Sequence, residues 1–517
     1  MSFNRIVSGA FVSYLNTAFS LISNLILVPM YLFYFGKEEY GLWLVVLSIV
    51  NYLGFSNFGI AQSVANLVAS ANAKSNFNEI NIIAATGFWL YACIIFVIMV
   101  IVCGGLFVVE IEDFLNIPDS LKNVVIPVLV ISSASFLLKL PLTIFNVTLR
   151  SLNLIYKEQL FGLVFTIIQT IGVVVILLSG TGIVGLSIVY GLTGLFSSLV
   201  LGLYLYKSIS GFSISRKFVS RKMVGRLIDP SIYFFLLQIG GAFIAGTDNI
   251  VITANIGVAE VASYAVAFQV CYIATRLISV ITASALPSIT SIYASNDRDH
   301  LSIVYIQILR SCFGFGLLII FVLFGVGPSL MVKWIGVENY VGNITFYFIA
   351  CFTFISIILY PSDVIMIATT NHKGYAIMTI IEGILNLILS VWWIHLWGVA
   401  GVAAATIFGR ITTNGWYMFY SCYKITGIGL DSIIRKVIKP YVIPILGTLI
   451  ATYFLNIFEL MGWYRIIITT ISLCFIFTVL FYSLSLSNQE KVILKSSVKR
   501  YCGLIGNSIK SLMNIWI

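Results

Sequence analysis

Apolar runs long enough to cross a bilayer recur along this 517-residue chain, and they constrain its fold more than any other feature. A span needs about 20 mostly apolar residues to cover about 30 Å of hydrocarbon. Fourteen candidates lie near residues 9–34, 41–69, 83–108, 123–148, 159–178, 183–206, 231–255, 259–287, 302–326, 342–366, 374–396, 398–421, 441–458 and 464–485. Charged residues make up 9% of the chain and hydrophobic ones 60%, whereas a soluble domain carries about 25% charged residues. Lipid must therefore replace water around this chain. Backbone groups in lipid are satisfied only within helices or closed barrels. Barrel strands alternate apolar and polar residues and never give unbroken runs of this length. The expected fold is an all-α polytopic membrane protein of about 14 transmembrane helices.

The basic residues fix how such a chain inserts. The net charge of +10 would suggest a nucleic-acid partner in a soluble protein. Here the cations sit between spans, so they read as topology signals and no nucleic acid is expected. With the N-terminus in the cytoplasm, 21 of the 29 basic residues fall inside and four, Lys37, Lys122, Lys333 and Arg465, fall outside. That bias places both termini in the cytoplasm of a multi-pass protein. The cytoplasmic tail from residue 486 is basic. Trp43, Trp334, Trp392, Trp393, Trp397 and Trp463 fall near outer span ends, where an aromatic belt is expected. The longest outer loop runs from Val109 to Lys122 and carries Glu110, Glu112, Asp113 and Asp119. After Arg5 the first span is too long for a signal peptide and is expected to stay. No phosphate-loop motif is present, so ATP-driven transport by this chain is not expected. The eight cysteines form no CxxC pair and the three histidines no metal spacing. No cofactor and no metal site are expected.

Three landmarks repeat at nearly one offset. Gly36-Lys37-Glu38-Glu39-Tyr40 is matched by Gly257-Val258-Ala259-Glu260 with Tyr264, Pro141 by Pro361, and Gly182xxGly185 by Gly398xxGly401. They argue for a duplicated six-span unit. Because six is even, both copies insert in one direction, with a cavity between them. The expected organisation is a six-helix lobe over 1–210, a basic linker over 211–230 and a second lobe over 231–425. A linker over 426–440, two extra helices over 441–485 and the tail over 486–517 complete it.

Polar residues inside spans must face protein or water. The fourth span carries Ser132, Ser135, Lys139, Thr143, Asn146 and Arg150 at steps of three and four, one continuous helical face. Asn16, Asn24, Asn51, Asn57, Gln62, Gln238, Gln269, Tyr272 and Tyr360 mark further faces, read either as cavity lining or as interhelical hydrogen bonding. Spans three, thirteen and fourteen show no such stripe and are expected to face lipid. A charge at mid-bilayer costs at least about 2.5–3.5 kcal/mol, so the charged positions are read as lining a cavity. Lys139, Arg276 and Arg410 lie nearest the centre and suggest an anionic cargo. Arg310 is shallower and can snorkel. The buried acids Asp248, Glu382 and Asp363 either pair with these cations or bind the proton or sodium ion that drives a cycle. Asp363 lies near the cytoplasmic end.

These residues carry a resemblance. Pro29 followed by Gly36-Lys37-Glu38-Glu39-Tyr40-Gly41-Leu42-Trp43, and Leu53-Gly54-Phe55-Ser56-Asn57-Phe58-Gly59-Ile60, resemble signatures of the Wzx-type polysaccharide repeat-unit flippases for O-antigen or capsule. So do Thr247-Asp248-Asn249-Ile250-Val251-Ile252 with Gly257 and Tyr264-Ala265-Val266-Ala267, and the Gly182 and Gly398 openings. The resemblance extends through about residue 425. It places the chain in the superfamily that also holds the MurJ lipid II flippases and the MATE exporters. It implies two six-helix lobes about a central cavity that opens alternately to each side, in a bacterial inner membrane. The implied cargo is an undecaprenyl-diphosphate-linked oligosaccharide, with Lys139, Arg276 and Arg410 as diphosphate contacts. A coupling ion, H⁺ or Na⁺, and the polymerase of the same glycan pathway are the other implied partners. The family's acid is matched by Asp248. Two positions depart from its pattern: Asn57 stands where an Asp is common, and Phe33 where an Arg is common. The rival readings are a MATE-type exporter of small cations, a polysaccharide polymerase or ligase, and a passive channel or scaffold.

Overall fold

The computed structural model describes residues 3–108, 115–152, 154–209, 211–369, 372–457, 462–485 and 491. The side chain of Arg5, the outer-loop acids Glu110, Glu112 and Asp113, and the tail beyond Lys491 lie outside the described residues. Among the described residues there are helices and turns but no strands. The helices are α1 (Phe3–Leu53), α2 (Ile60–Ala73), α3 (Phe77–Val108), α4 (Asp119–Ser151), α5 (Ile155–Ser179), α6 (Gly182–Ser208), α7 (Arg221–Asn255), α8 (Val258–Ser284), α9 (Leu286–Ala294), α10 (Arg298–Ile335), α11 (Asn343–Ala368), α12 (His372–Trp397), α13 (Val399–Arg410), α14 (Trp416–Thr426), α15 (Leu430–Ile433), α16 (Val442–Ile457) and α17 (Gly462–Leu480).

Eleven helices among the described residues are long and apolar enough to cross a membrane. The expected count of fourteen is not reached by this measure. The first two sequence spans merge in α1 across a kink at Gly36. The twelfth is divided, because a π-helical turn at Ile411–Gly415 separates α13 from α14. Four glycines of the repeat landmarks have positive φ. Gly36 and Gly257 have φ of 73° and 134°, and Gly182 and Gly398 have φ of 67° and 58°. Glycine visits that region without the steric cost other residues meet.

Two compact units are present. One comprises Met1–Ile273, Trp334–Phe352 and Asn371–Tyr417; the other comprises Ala274–Lys333, Thr353–Thr370 and Met418–Ile517. The first unit has a core in which Ile60, Val64, Ile83, Tyr91, Ile144, Leu149, Leu201 and Leu205 interlock from α2, α3, α4 and α6. The second is centred on Tyr305, Leu309, Ile365, Cys422 and Val437, with Leu317, Phe321, Tyr441 and Phe477 in a further cluster.

Breaks in the first unit's helices are satisfied by side chains. Pro29 has no N–H to offer the carbonyl of Leu25, four residues earlier; the Trp334 indole N–H donates to that carbonyl instead, at 3.1 Å. The second sequence span breaks at Gly54–Asn57, a 3₁₀ turn followed by Phe58 and Gly59, both at positive φ. The buried Tyr91 hydroxyl mends this break: it accepts the Ala61 N–H at 2.9 Å and donates to the Asn57 side chain. So α3 is not simply lipid-facing. Phe96, Val97, Val100 and Ile101 are exposed, but Asn81, Thr86 and Trp89 hold the 211–220 segment through Gly211, Ser213, Ile214 and Ser220. Tyr91→Phe removes the partner of the Ala61 N–H and of the Asn57 side chain, both half-buried, each worth up to about 1–3 kcal/mol. The expected result is a loss of roughly 2–4 kcal/mol in stability. An unchanged melting temperature in detergent would show that the break holds without the hydroxyl.

Candidate functional site

The polar face of α4 divides into two parts. Towards the C-terminal end of α4, Arg150 and Thr143 are satisfied locally. Arg150 donates to Glu158 at 2.6 and 3.0 Å, and Thr143 bonds the Leu140 carbonyl. Asn146 is half-buried, and its side-chain oxygen finds no partner among the described residues. Towards the other end, Ser132, Ser135 and Lys139 line a cavity of about 140 Å³. Trp43, Leu47 and Val50 of α1, Phe136 of α4, and Ser187, Tyr190, Gly191 and Gly194 of α6 complete its wall. Lys139 makes no hydrogen bond or ion pair among the described residues and stands beside Gly194. Trp43, expected in an interfacial belt, is 2% exposed and packs edge-on against Tyr190. Trp392, Trp397 and Trp463 are exposed, as a belt requires.

A second constellation centres on Asp248, which is 3% exposed. Its Oδ2 accepts from the Tyr264 hydroxyl at 2.7 Å and lies 3.1 Å from Thr406 Oγ1. Its Oδ1 accepts from Asn386 Nδ2 at 3.1 Å. The carboxylate thus ties α7 to α8, α12 and α13. Thr406 brings one proton to three oxygens, those of Asp248, Asn386 and the Val402 carbonyl. Ser390 adds a third hydroxyl by donating to Asn386 Oδ1. The two carboxylate oxygens are thus met by three donors from the chain itself. The residues flanking Asp248 face the opposite way. Thr247 bonds Tyr52 at 2.7 Å, and Asn249 donates to Ser48 at 2.9 Å, both on α1. Close by, Gly41 of α1 lies against the Val258 carbonyl, so that an added Cβ would come within 1.9 Å of it.

Arg410 and Glu382 meet each other. Nε and Oε1 are 2.8 Å apart, close but not aligned as a hydrogen bond. Glu382 is 1% exposed and also accepts from Thr413 and Asn414 in the π-helical turn. The Arg410 guanidinium covers the Phe352 ring at 5.1 Å. Arg410 therefore has its counter-charge within the chain, and Glu382 is committed to it.

The remaining expected positions are dispersed. Asn16 bridges α1 to α5 through Gln159 and Thr166 rather than lining open space. Asn24 bonds the Ser20 carbonyl, and Asn57 is held by Tyr91. Asn51, Gln62 and Tyr272 are exposed, whereas Gln238 and Gln269 are half-buried. Arg276 is exposed, in the second unit, with no ion partner among the described residues. Asp363 and Tyr360 are half-buried on α11 in the same unit. Sequence reasoning passed over Asn386, Thr406 and Tyr91. Asn386 could have been found as the single amide in the run Ile384-Leu385-Asn386-Leu387-Ile388. Glu39 was also missed. It accepts the Ile183 N–H at 2.8 Å, joining the first signature to the N-terminus of α6.

The chain is 20% identical over 477 residues to the uncharacterized membrane protein EpsK of Bacillus subtilis (strain 168), covering 91% of this chain and 93% of that one. Its fold matches the lipid II flippase MurJ in an inward closed conformation, with a TM-score of 0.71 and 16% identity over 91% of this chain and 99% of that one. It also matches an inward-facing multidrug resistance MATE family transporter of the MOP superfamily, with a TM-score of 0.66 and 14% identity over 79% and 95% of the two chains. The fold is thus the one these two transporters share. Residues 6–293, more than half the chain, match the family described as polysaccharide biosynthesis protein, and the chain belongs to that family.

Proposed function

We propose that the chain is a flippase that moves undecaprenyl-diphosphate-linked oligosaccharide repeat units from the cytoplasmic to the outer leaflet of a bacterial inner membrane. Both termini lie in the cytoplasm in this reading, and the halves over 1–210 and 231–425 alternate access to the cargo. The observation that carries it is Lys139, a cation without an anionic partner among the described residues, lining a cavity in a MurJ-like fold. An ammonium in a low-dielectric wall needs a counter-charge, and an anionic cargo supplies one. Arg276, with no ion partner among the described residues, is the second cation of this reading. Asp248 and its oxygen neighbours are the coupling site for H⁺ or Na⁺. The rival exporter of small cations needs an acid open to its cargo. Asp248 and Glu382 are instead buried and already bonded.

Deletion in the native host is expected to leave undecaprenyl-diphosphate oligosaccharide accumulated on the inner leaflet, read by extraction and accessibility labelling. Lys139→Ala combined with Arg276→Ala is expected to abolish surface glycan at normal protein level. Full display in the double variant would remove both residues from the cargo path.

A further inference from the structure

The last two membrane helices, α16 and α17, meet at one end in a surface that the transport site does not use. Between α15 and α16 the chain stays helical, through a π-helical turn at Ile434–Ile438 and a 3₁₀ turn at Lys439–Tyr441. Residues four apart drift by about 40° around an α-helix. The wider π turn takes up that drift and keeps Ile433, Val437 and Tyr441 in line. All three are buried, and the Tyr441 hydroxyl donates to the Arg310 carbonyl of α10 at 2.8 Å. The other sides of the segment are of two kinds. Leu430, Ile434 and Ile438 form an exposed apolar line that Val442 and Ile443 continue into α16. Arg435, Lys436 and Lys439 are exposed beside it.

Depth follows from length. The sixteen residues of α16 cover about 24 Å, and about four more complete a hydrocarbon span of about 30 Å. Counted back from Ile457, the edge of the hydrocarbon falls near Ile438, which leaves the three cations at the headgroup layer. The end of α17 lies at the same level, because Phe481, one residue past it, stacks on Tyr441 at 5.3 Å. Lys491 adds a fourth cation there, donating to the Ser483 carbonyl at 3.0 Å and standing over the Tyr482 ring. Asp431, 2.9 Å from Arg435 Nε, is the acid beside them. Lys436 and Lys439 make no ion pair among the described residues.

Topology alone asks for positive charge at a helix end; it does not ask for an apolar line beside that charge. The pairing fits a surface that carries acyl chains next to negative headgroups. We propose that this end of the α16–α17 pair binds anionic phospholipid. Acyl chains lie along Ile434 and Ile438, and phosphates meet Arg435, Lys436 and Lys439. The proposal stands apart from the cargo and does not rest on the flippase reading.

Native mass spectrometry of the full-length protein in detergent tests it, with phosphatidylglycerol and phosphatidylcholine of identical acyl chains as probes. A basic residue at an anionic surface is worth about fivefold in affinity. Phosphatidylglycerol is therefore expected to bind at least about tenfold more tightly, with a preference that falls as salt rises. Arg435→Gln, Lys436→Gln and Lys439→Gln combined are expected to erase the preference, and their exposure keeps the fold. Asp431→Asn acts the other way: it frees Arg435 and is expected to tighten phosphatidylglycerol by up to about fivefold. Lys217→Gln with Lys222→Gln, exposed in the 211–230 linker, is expected to change nothing. Equal binding of the two lipids by the unaltered protein overturns the proposal. So does a preference that survives in the triple variant, falls as far in the linker variant, or weakens in Asp431→Asn. Displacement of phosphatidylglycerol by an equal concentration of inorganic phosphate would make the cluster a simple anion site and overturn it as well.

Discussion

Asp248→Asn is expected to leave a folded protein that no longer responds to an ion gradient, with gradient-driven transport reduced at least about 100-fold. The size follows from what coupling requires. Moving an alternating-access equilibrium from 1:99 to 99:1 takes about 5.5 kcal/mol of differential interaction. Few groups can supply that much, and a buried carboxylate that gains and loses charge is one of them, because its desolvation is worth several kcal/mol. Asp248 is placed to transmit the change. Its own oxygens hold α8, α12 and α13 through Tyr264, Asn386 and Thr406. Its neighbours Thr247 and Asn249 hold α1 through Tyr52 and Ser48. Neutralising the carboxylate is expected to weaken the first set of bonds and to leave the second in place. Asparagine is nearly isosteric, and a flip of the Asn386 amide restores its pairing, so the fold is expected to lose only about 1–2 kcal/mol. Asp248→Ala leaves three donors facing a void and is expected to cost more. The measurement is uptake into proteoliposomes with imposed proton or sodium gradients. Gradient dependence equal to wild type in Asp248→Asn would remove Asp248 from the coupling path.

Much of this site was legible in the sequence, and the limits have physical causes. The lipid environment makes isolated polar residues expensive, so the α4 stripe and Asp248 stood out at once. Periodicity placed Ser132, Ser135 and Lys139 on one face, and they line one cavity. Periodicity could not show that the same face changes character at Thr143, because that depends on Glu158, which belongs to α5. The cage around Asp248 was hidden for a similar reason. Tyr264, Asn386 and Thr406 come from three helices spread over more than a hundred residues, and each alone resembles ordinary interhelical bonding. Two helix breaks also escaped notice. Polar residues spaced along the second span read as a helical face and give no sign that residues 54–59 leave the helix, since the pattern records hydrophobicity and not backbone angles. Gly59 was the available signal, and Tyr91, which bonds Ala61 and Asn57 on either side of it, lies on a helix that looked wholly lipid-facing.

The fate of Arg410 gives the second large expected effect, because the sequence offered it as an anion contact and the structure gives it a partner. Breaking a buried ion pair by removing one member strands the other and costs about 3–5 kcal/mol, whereas replacing both members is often neutral. Arg410→Met is expected to destabilise by that amount, since it leaves the Glu382 charge at 1% exposure. Glu382→Gln keeps an acceptor for Asn414 and Thr413, and is expected to cost about 3 kcal/mol by stranding the guanidinium. The double variant should recover to within about 1 kcal/mol of wild type. Melting in detergent measures all three. Transport then separates structure from cargo binding. If Arg410 serves the fold, the double variant transports at close to the wild-type rate once its stability is restored. If Arg410 also touches the cargo, stability returns and transport does not. The first outcome is expected, because Phe352 covers the guanidinium and Glu382 lies beside its Nε. A charge held on both sides in this way has little left to offer an anion, whereas Lys139, with no such partner described, has all of it.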